Sequence, residues 1–295
     1  MTITQEVPPP SLTHPVLCRH PVDLLGRAMM RGASRRLVRR QHAWLIGPSA
    51  GRDVVGHDWV ARTASDLNGS TSTGPHHGLL TSFADLAGVE FDPARVDPRI
   101  ADFYEHTAGW HIDLWSEWSA IAWPFGRLIT ALLSERLQQA CLPMHPLDVS
   151  HGMTSEVVHR HDSGGYVVGA AWLRNMVKTG TVTYSGLYGV KSLPGHSQPS
   201  VRVVFPLPLG SIQVYLRPKA GADGSFHLYS PLGRFGDNGV YLVMERYDDT
   251  ISARCIPLNE HFHLWVDNAG DVRTDHTLKL WNIPAIRLHY RLQRS

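Results

Sequence analysis

Two His-x-His pairs, His159-Arg-His161 and His261-Phe-His263, are the first residues in this chain whose type and spacing suggest chemistry. In an extended strand residues i and i+2 project from one face, so either pair can offer two imidazoles to one metal ion. A working metal site needs a third ligand. His227, Glu245 and His289 are candidates if their strands neighbour the one carrying His261 and His263. Such a site would serve a metal-dependent oxygenase or hydrolase. With 18 histidines in 295 residues, however, pairs of this kind also arise from composition alone, so no metal ligands are assigned and the cofactor stays unknown.

The stretch from Pro98 to Trp118 holds a second set of candidates. Its apolar spacing predicts a helix with Asp97 as N-cap and Pro98 in the first turn. At 100° per residue, Phe103, Tyr104, Trp110, Leu114 and Trp118 share one face, and Asp102, His106, Asp113 and Glu117 form a polar stripe beside it. Within the aromatic face sits His111, placed to act as a base if the helix covers the mouth of a sheet. A further helix is expected over 124–139.

From Met153 onward the period changes from 3.6 to 2, and turn residues recur every 8–12 positions. Strands are predicted over 153–161, 166–174, 181–190, 200–206, 210–217, 225–230, 239–247, 251–257, 260–267, 271–280 and 284–292. Short turns such as Asp162-Ser-Gly-Gly165 and Asp267-Asn-Ala-Gly270 join antiparallel neighbours. The expected fold class is α+β, an N-terminal helical segment packed on a large antiparallel β-sheet or closed β-barrel. The layout resembles calycin-type, lipocalin-like barrels in architecture, a likeness that implies no function. Three regions follow: an arm at 1–20, a mainly helical segment at 21–145 with a loop at 47–80, and a β domain at 150–295.

Alternation divides each strand into two faces. One carries core residues such as Val214, Leu228, Leu264 and Leu288. The other carries Tyr215 and Arg217, His227 and Tyr229, Tyr241 and Glu245, His261, His263 and Trp265, and His289. These side chains pair a wide apolar body with a polar tip, which suits a half-enclosed surface better than bulk water. The second face is therefore expected to line a cavity or an interface. On this reading the protein binds an apolar or aromatic small molecule in a β-barrel cavity, and cofactor-free cyclase or isomerase activity is chemistry such a cavity supports. His111, Glu245, His261 and His263 would be catalytic; Tyr215, Arg217, His227, Tyr229, Tyr241, Trp265 and His289 would contact the ligand.

Composition narrows the field. A hydrophobic share of 43% and a charged share of 18% fit a chain with a sizeable core. The net charge of +2 gives no reason to expect a nucleic-acid partner. Cys18, Cys141 and Cys255 have neither disulfide-framework nor metal-ligand spacing, and the N-terminus lacks a secretory layout, so a reducing, cytoplasmic setting is expected. There is no Gly-x-Ser-x-Gly elbow, P-loop or dinucleotide fingerprint. Arg27, Arg31, Arg35 and Arg39 recur every fourth residue over a helix expected at 23–40. That stripe leaves a lipid or pigment carrier, or a protein docked at a membrane surface, as the non-enzymatic alternative.

Overall fold

The computed structural model describes residues 34–50, 55, 58–119, 153–177, 182–208, 210–246 and 248–295. Arg27, Arg31, Cys18, Cys141 and the helix expected over 124–139 lie outside them.

Every strand expected after Met153 is present. These are β4 (Met153–His161), β5 (Val167–Met176), β6 (Val182–Lys191), β7 (Ser200–Leu207), β8 (Gly210–Ala220) and β9 (Phe226–Ser230). They continue as β10 (Gly239–Glu245), β11 (Thr250–Ile256), β12 (Leu258–Val266), β13 (Val272–Leu280) and β14 (Ile283–Arg294). Three more strands come from the segment expected to be helical: β1 (Arg35–Val38), β2 (Thr71–Thr73) and β3 (Trp110–Trp118). All fourteen form one antiparallel sheet, with the main order β2-β4-β5-β6-β7-β8-β9-β12-β13-β14-β3. β8 is long enough to fork that order. Its first half pairs with β10, which leads to β11 and β1, and its second half pairs with β9. The hydrogen-bonded path is open, ending in β2 and β3.

The helix predicted from Pro98 ends early. Asp97 caps it as expected, its carboxylate accepting from the Arg99 amide, but α2 spans only Pro98–Glu105. After a single turn at Thr107–Gly109 the chain becomes β3, paired with β14 from Trp110↔Arg294 to Trp118↔Ile286. Trp110, Ile112 and Leu114 then point inward, while His111, Asp113, Trp115 and Glu117 point out. The apolar residues of 110–118 fit both periods, and the free edge of β14 decides between them. The earlier α1 (Trp59–Ser65) is short. Similarly, the described part of the predicted 23–40 helix is β1 followed by a 3-10 turn, Arg39–Leu45. Among the described residues no helix is long and apolar enough to cross a membrane.

The sheet curls around one main core. The segment 79–104 fills one end of its interior, where Phe83, Phe91 and Tyr104 meet the ring of Phe226 at centroid distances of 5.0, 5.4 and 5.7 Å. Two smaller clusters cover the outside. Trp59 lies over β4–β7, its indole N–H donating to Ser185 Oγ at 2.7 Å, and Trp44 lies over β8, β10 and β11.

Candidate functional site

The inward-facing positions of the sheet change character from one end to the other. At the end closed by 79–104 they are apolar and fully buried: Phe226, Val240 and Val272 have no exposed surface. Toward the other end, Tyr184, Phe205, Ile212, Phe262 and Tyr290 keep part of their surface accessible. The interior is therefore packed at its floor, and above it the inward side chains named here are less completely buried.

Several polar side chains turn into this upper interior, six of which carry aromatic or ionisable groups. Arg174 comes from β5, Tyr184 and Tyr188 from β6, Glu260 from β12, His276 from β13 and Tyr290 from β14. Each has the parity of the apolar residues beside it, so the pleat turns it inward. Arg174 follows Trp172, Glu260 precedes Phe262, and His276 lies between Thr274 and Leu278.

His276 stacks on Phe262 with ring centroids 3.6 Å apart, and its Nε2 lies 3.0 Å from Glu260 Oε2. Both side chains are about nine-tenths buried, at 9% and 10% exposure. A carboxylate can only accept, so Nε2 carries the hydrogen of this bond, and in the neutral ring the lone pair is then on Nδ1. Nδ1 is buried and has no hydrogen-bond partner among the described residues. The hydroxyls of Tyr184 and Tyr188 share a 2.6 Å hydrogen bond. Burial holds the pKa of Tyr184, Tyr188 and Tyr290 above the ordinary tyrosine value, so all three remain neutral donors.

Arg174 is 2% exposed. Its guanidinium lies over the rings of Trp172 and Tyr184 at 4.4 and 4.7 Å, with Tyr290 at 5.7 Å. Nε and Nη1 are buried and, among the described residues, have no hydrogen-bond partner. Ring faces attract a cation but accept no strong directional hydrogen bond. A buried charge normally has a partner, because leaving it unpaired costs several kcal/mol.

The residues expected from sequence to form the site lie on the opposite, outward face. Tyr215 and Tyr241 are fully buried there under Trp44, at centroid distances of 5.6 and 5.1 Å. Arg217 forms an ion pair with Glu90. Glu245 borders a depression of about 10 Å³, room for about one water molecule. His289 bonds Asp275 at 2.7 Å, while His111 is exposed and lies 3.1 Å from Asp113. The polar stripe expected on one helix is divided, with Asp102 on α2 paired to His106 just beyond its end, and Asp113 and Glu117 on β3.

Five of these residues do come together. Tyr229, His261, His227, His263 and Trp265 stack in that order across β9 and β12, with successive centroids 4.4, 5.4, 4.5 and 4.7 Å apart. His227 Nδ1 lies 3.1 Å from His261 Nε2. The ladder is half-exposed, and Lys219 lies across from His227 where β8 pairs with β9. The other His-x-His pair serves the backbone: His159 donates to Gly78 O, and His161 contacts Gly165 O and Ser72 Oγ. Among the described residues no group of three or more His, Cys, Asp or Glu side chains converges as metal ligands do.

Arg174, Glu260 and His276 were legible in principle. Each is an ionisable residue at the core parity of an alternating strand, where burial demands a reason. Alternation marked that face as core and drew attention to the other.

No protein-family model, curated protein or solved structure matches the chain.

Proposed function

We propose that the upper interior of the curled sheet binds an apolar or aromatic small molecule and moves a proton on it, in cofactor-free isomerisation or cyclisation chemistry. The observation that carries this reading is the buried Glu260–His276 pair, whose Nδ1 has no partner among the described residues, on the inward face of the sheet that also carries the neutral hydroxyls of Tyr184, Tyr188 and Tyr290. Glu260 orients the ring, and His276 Nδ1 accepts the proton. Since Tyr184 and Tyr188 bond each other, one O–H of the pair remains to donate to a ligand oxygen. Trp172, Phe205 and Phe262 supply apolar surface for the ligand body. A positioned base contributes roughly 10²–10⁴ to a rate, and an oriented donor to a developing oxyanion roughly 10²–10³.

Two probes test binding and chemistry separately. Nile red reports an apolar interior, and wild type should bind it saturably with blue-shifted emission. Base-promoted ring opening of 5-nitrobenzisoxazole reports a general base in an apolar site. Saturable acceleration should fall about 100-fold in H276N, with Nile red binding retained. Binding without acceleration would leave a carrier. Absence of Nile red binding, or acceleration unchanged in both H276N and E260Q, would reject the site.

A further inference from the structure

We infer that the ligand of this interior site is an anion, an apolar carboxylic acid, and that Arg174 is the residue that recognises its charge. The inference rests on the reading of the interior as a binding site, but a separate observation carries it. Arg174 is 2% exposed, and neither Nε nor Nη1 has a hydrogen-bond partner among the described residues.

Three aromatic rings hold the guanidinium in place. Trp172, on the same strand, and Tyr184, its cross-strand partner, lie against it at 4.4 and 4.7 Å, and Tyr290 approaches from β14 at 5.7 Å. This collar, with a hydrogen bond between the guanidinium and the Tyr290 side chain, fixes the position of the charge, and Nε and Nη1 remain without a partner among the described residues. Glu260, an inward-facing carboxylate on β12, is bonded to His276 and makes no ion pair with Arg174. The wall thus keeps a cation with free donors beside partly accessible tyrosines. A carboxylate satisfies both needs at once, because it neutralises the charge and accepts from the planar fork. An alcohol or hydrocarbon of the same shape would leave the charge without a counterion.

The experiment compares cis-parinaric acid with cis-parinarol, which carries the same polyene chain without the carboxylate. Binding to the full-length protein is read by energy transfer from tryptophan. Wild type should bind the acid about 10- to 100-fold more tightly than the alcohol, the range for hydrogen bonds to a charged group. In R174M the two affinities should converge, mainly through loss of acid binding, and alcohol binding verifies that the variant is folded. R174K, which keeps the charge without the fork, should fall between them. If wild type binds both probes equally, the inference fails and the interior site stands. Selectivity that survives in R174M also overturns it, by placing recognition elsewhere. If neither probe binds, the interior reading fails and takes the inference with it.

Discussion

The stacked ladder on β9 and β12 shows how a residue's partners override its intrinsic chemistry. His261 lies between Tyr229 and His227, and burial first, then the neighbouring imidazoles, lower its pKa from 6.5 to about 4. His227 shifts in the same direction for the same reasons. At neutral pH neither the folded nor the unfolded state carries a proton on His261. Below about pH 6.5 the unfolded chain takes one up, and the folded chain refuses it until about 4, so stability falls as pH falls through that window. Thermal unfolding between pH 7.5 and 4.5 should therefore show a steep loss of Tm. His261→Phe, which preserves the stack and removes the titration, should flatten that slope. An unchanged slope would show that other groups set it. Tyr215 was expected to meet a ligand and instead serves the chain. It donates to Trp44 O, Gln213 to Leu45 O and Arg202 to Ile46 O, so three side chains satisfy three successive carbonyls of a buried segment.

Between elements, close approach decides what fits. The end of α2 packs on Gly78 so tightly that a Cβ there would lie 2.2 Å from the Glu105 carbonyl and 2.4 Å from Tyr104 O. Glu105 also accepts from the Phe83 amide at 2.6 Å, and Leu80 N bonds Tyr104 O, which ties the segment forming the floor to the helix. The opposing atoms are backbone and cannot rotate away, so Gly78→Ala should destabilise the protein by about 1–3 kcal/mol. Chemical denaturation measures this directly. A change under 0.5 kcal/mol would mean that the floor adjusts without cost. Because the floor lies beneath the proposed site, the same variant should weaken Nile red binding.

Across the whole molecule, the described residues before 120 are tied to the sheet and its core. β3 covers β14 from Ile286 to Arg294, β2 pairs with β4, β1 pairs with β11, and residues 79–104 supply the floor of the main core. A fragment of residues 150–295 would expose the edge of β14 and the apolar faces of Phe226, Leu264 and Val272 together. It should lack dispersed amide resonances and a cooperative unfolding transition. A fragment that unfolds cooperatively, with the far-UV signature of the full chain, would establish the boundary near 150 as a domain boundary. Of the basic stripe, Arg35 and Arg39 are described: Arg35 lies over the ring of Phe235 at 4.6 Å, and Arg39 N donates to Asp249 O, while the neighbouring Arg36 and Arg40 make exposed ion pairs with Asp248 and Asp249.

Sequence alone determined the strands after Met153 and the cap of α2, because alternation, turn residues and an Asp-Pro start act over a few neighbouring residues. It also determined that Val214, Leu228, Leu264 and Leu288 are buried, since their apolar surface leaves water wherever the strand is placed. Other features depended on partners distant in the chain. Whether 110–118 would be helix or strand rested on the edge of β14. Whether Tyr215 and Tyr241 would line a cavity or carry Trp44 rested on where residues 44–46 came to lie. The placing of Arg174, Tyr184, Glu260 and His276 in one interior required the curl of the sheet, which brings β5 and β6 toward β12, β13 and β14. Curl and register are long-range properties, and no local pattern encodes which charge will face which.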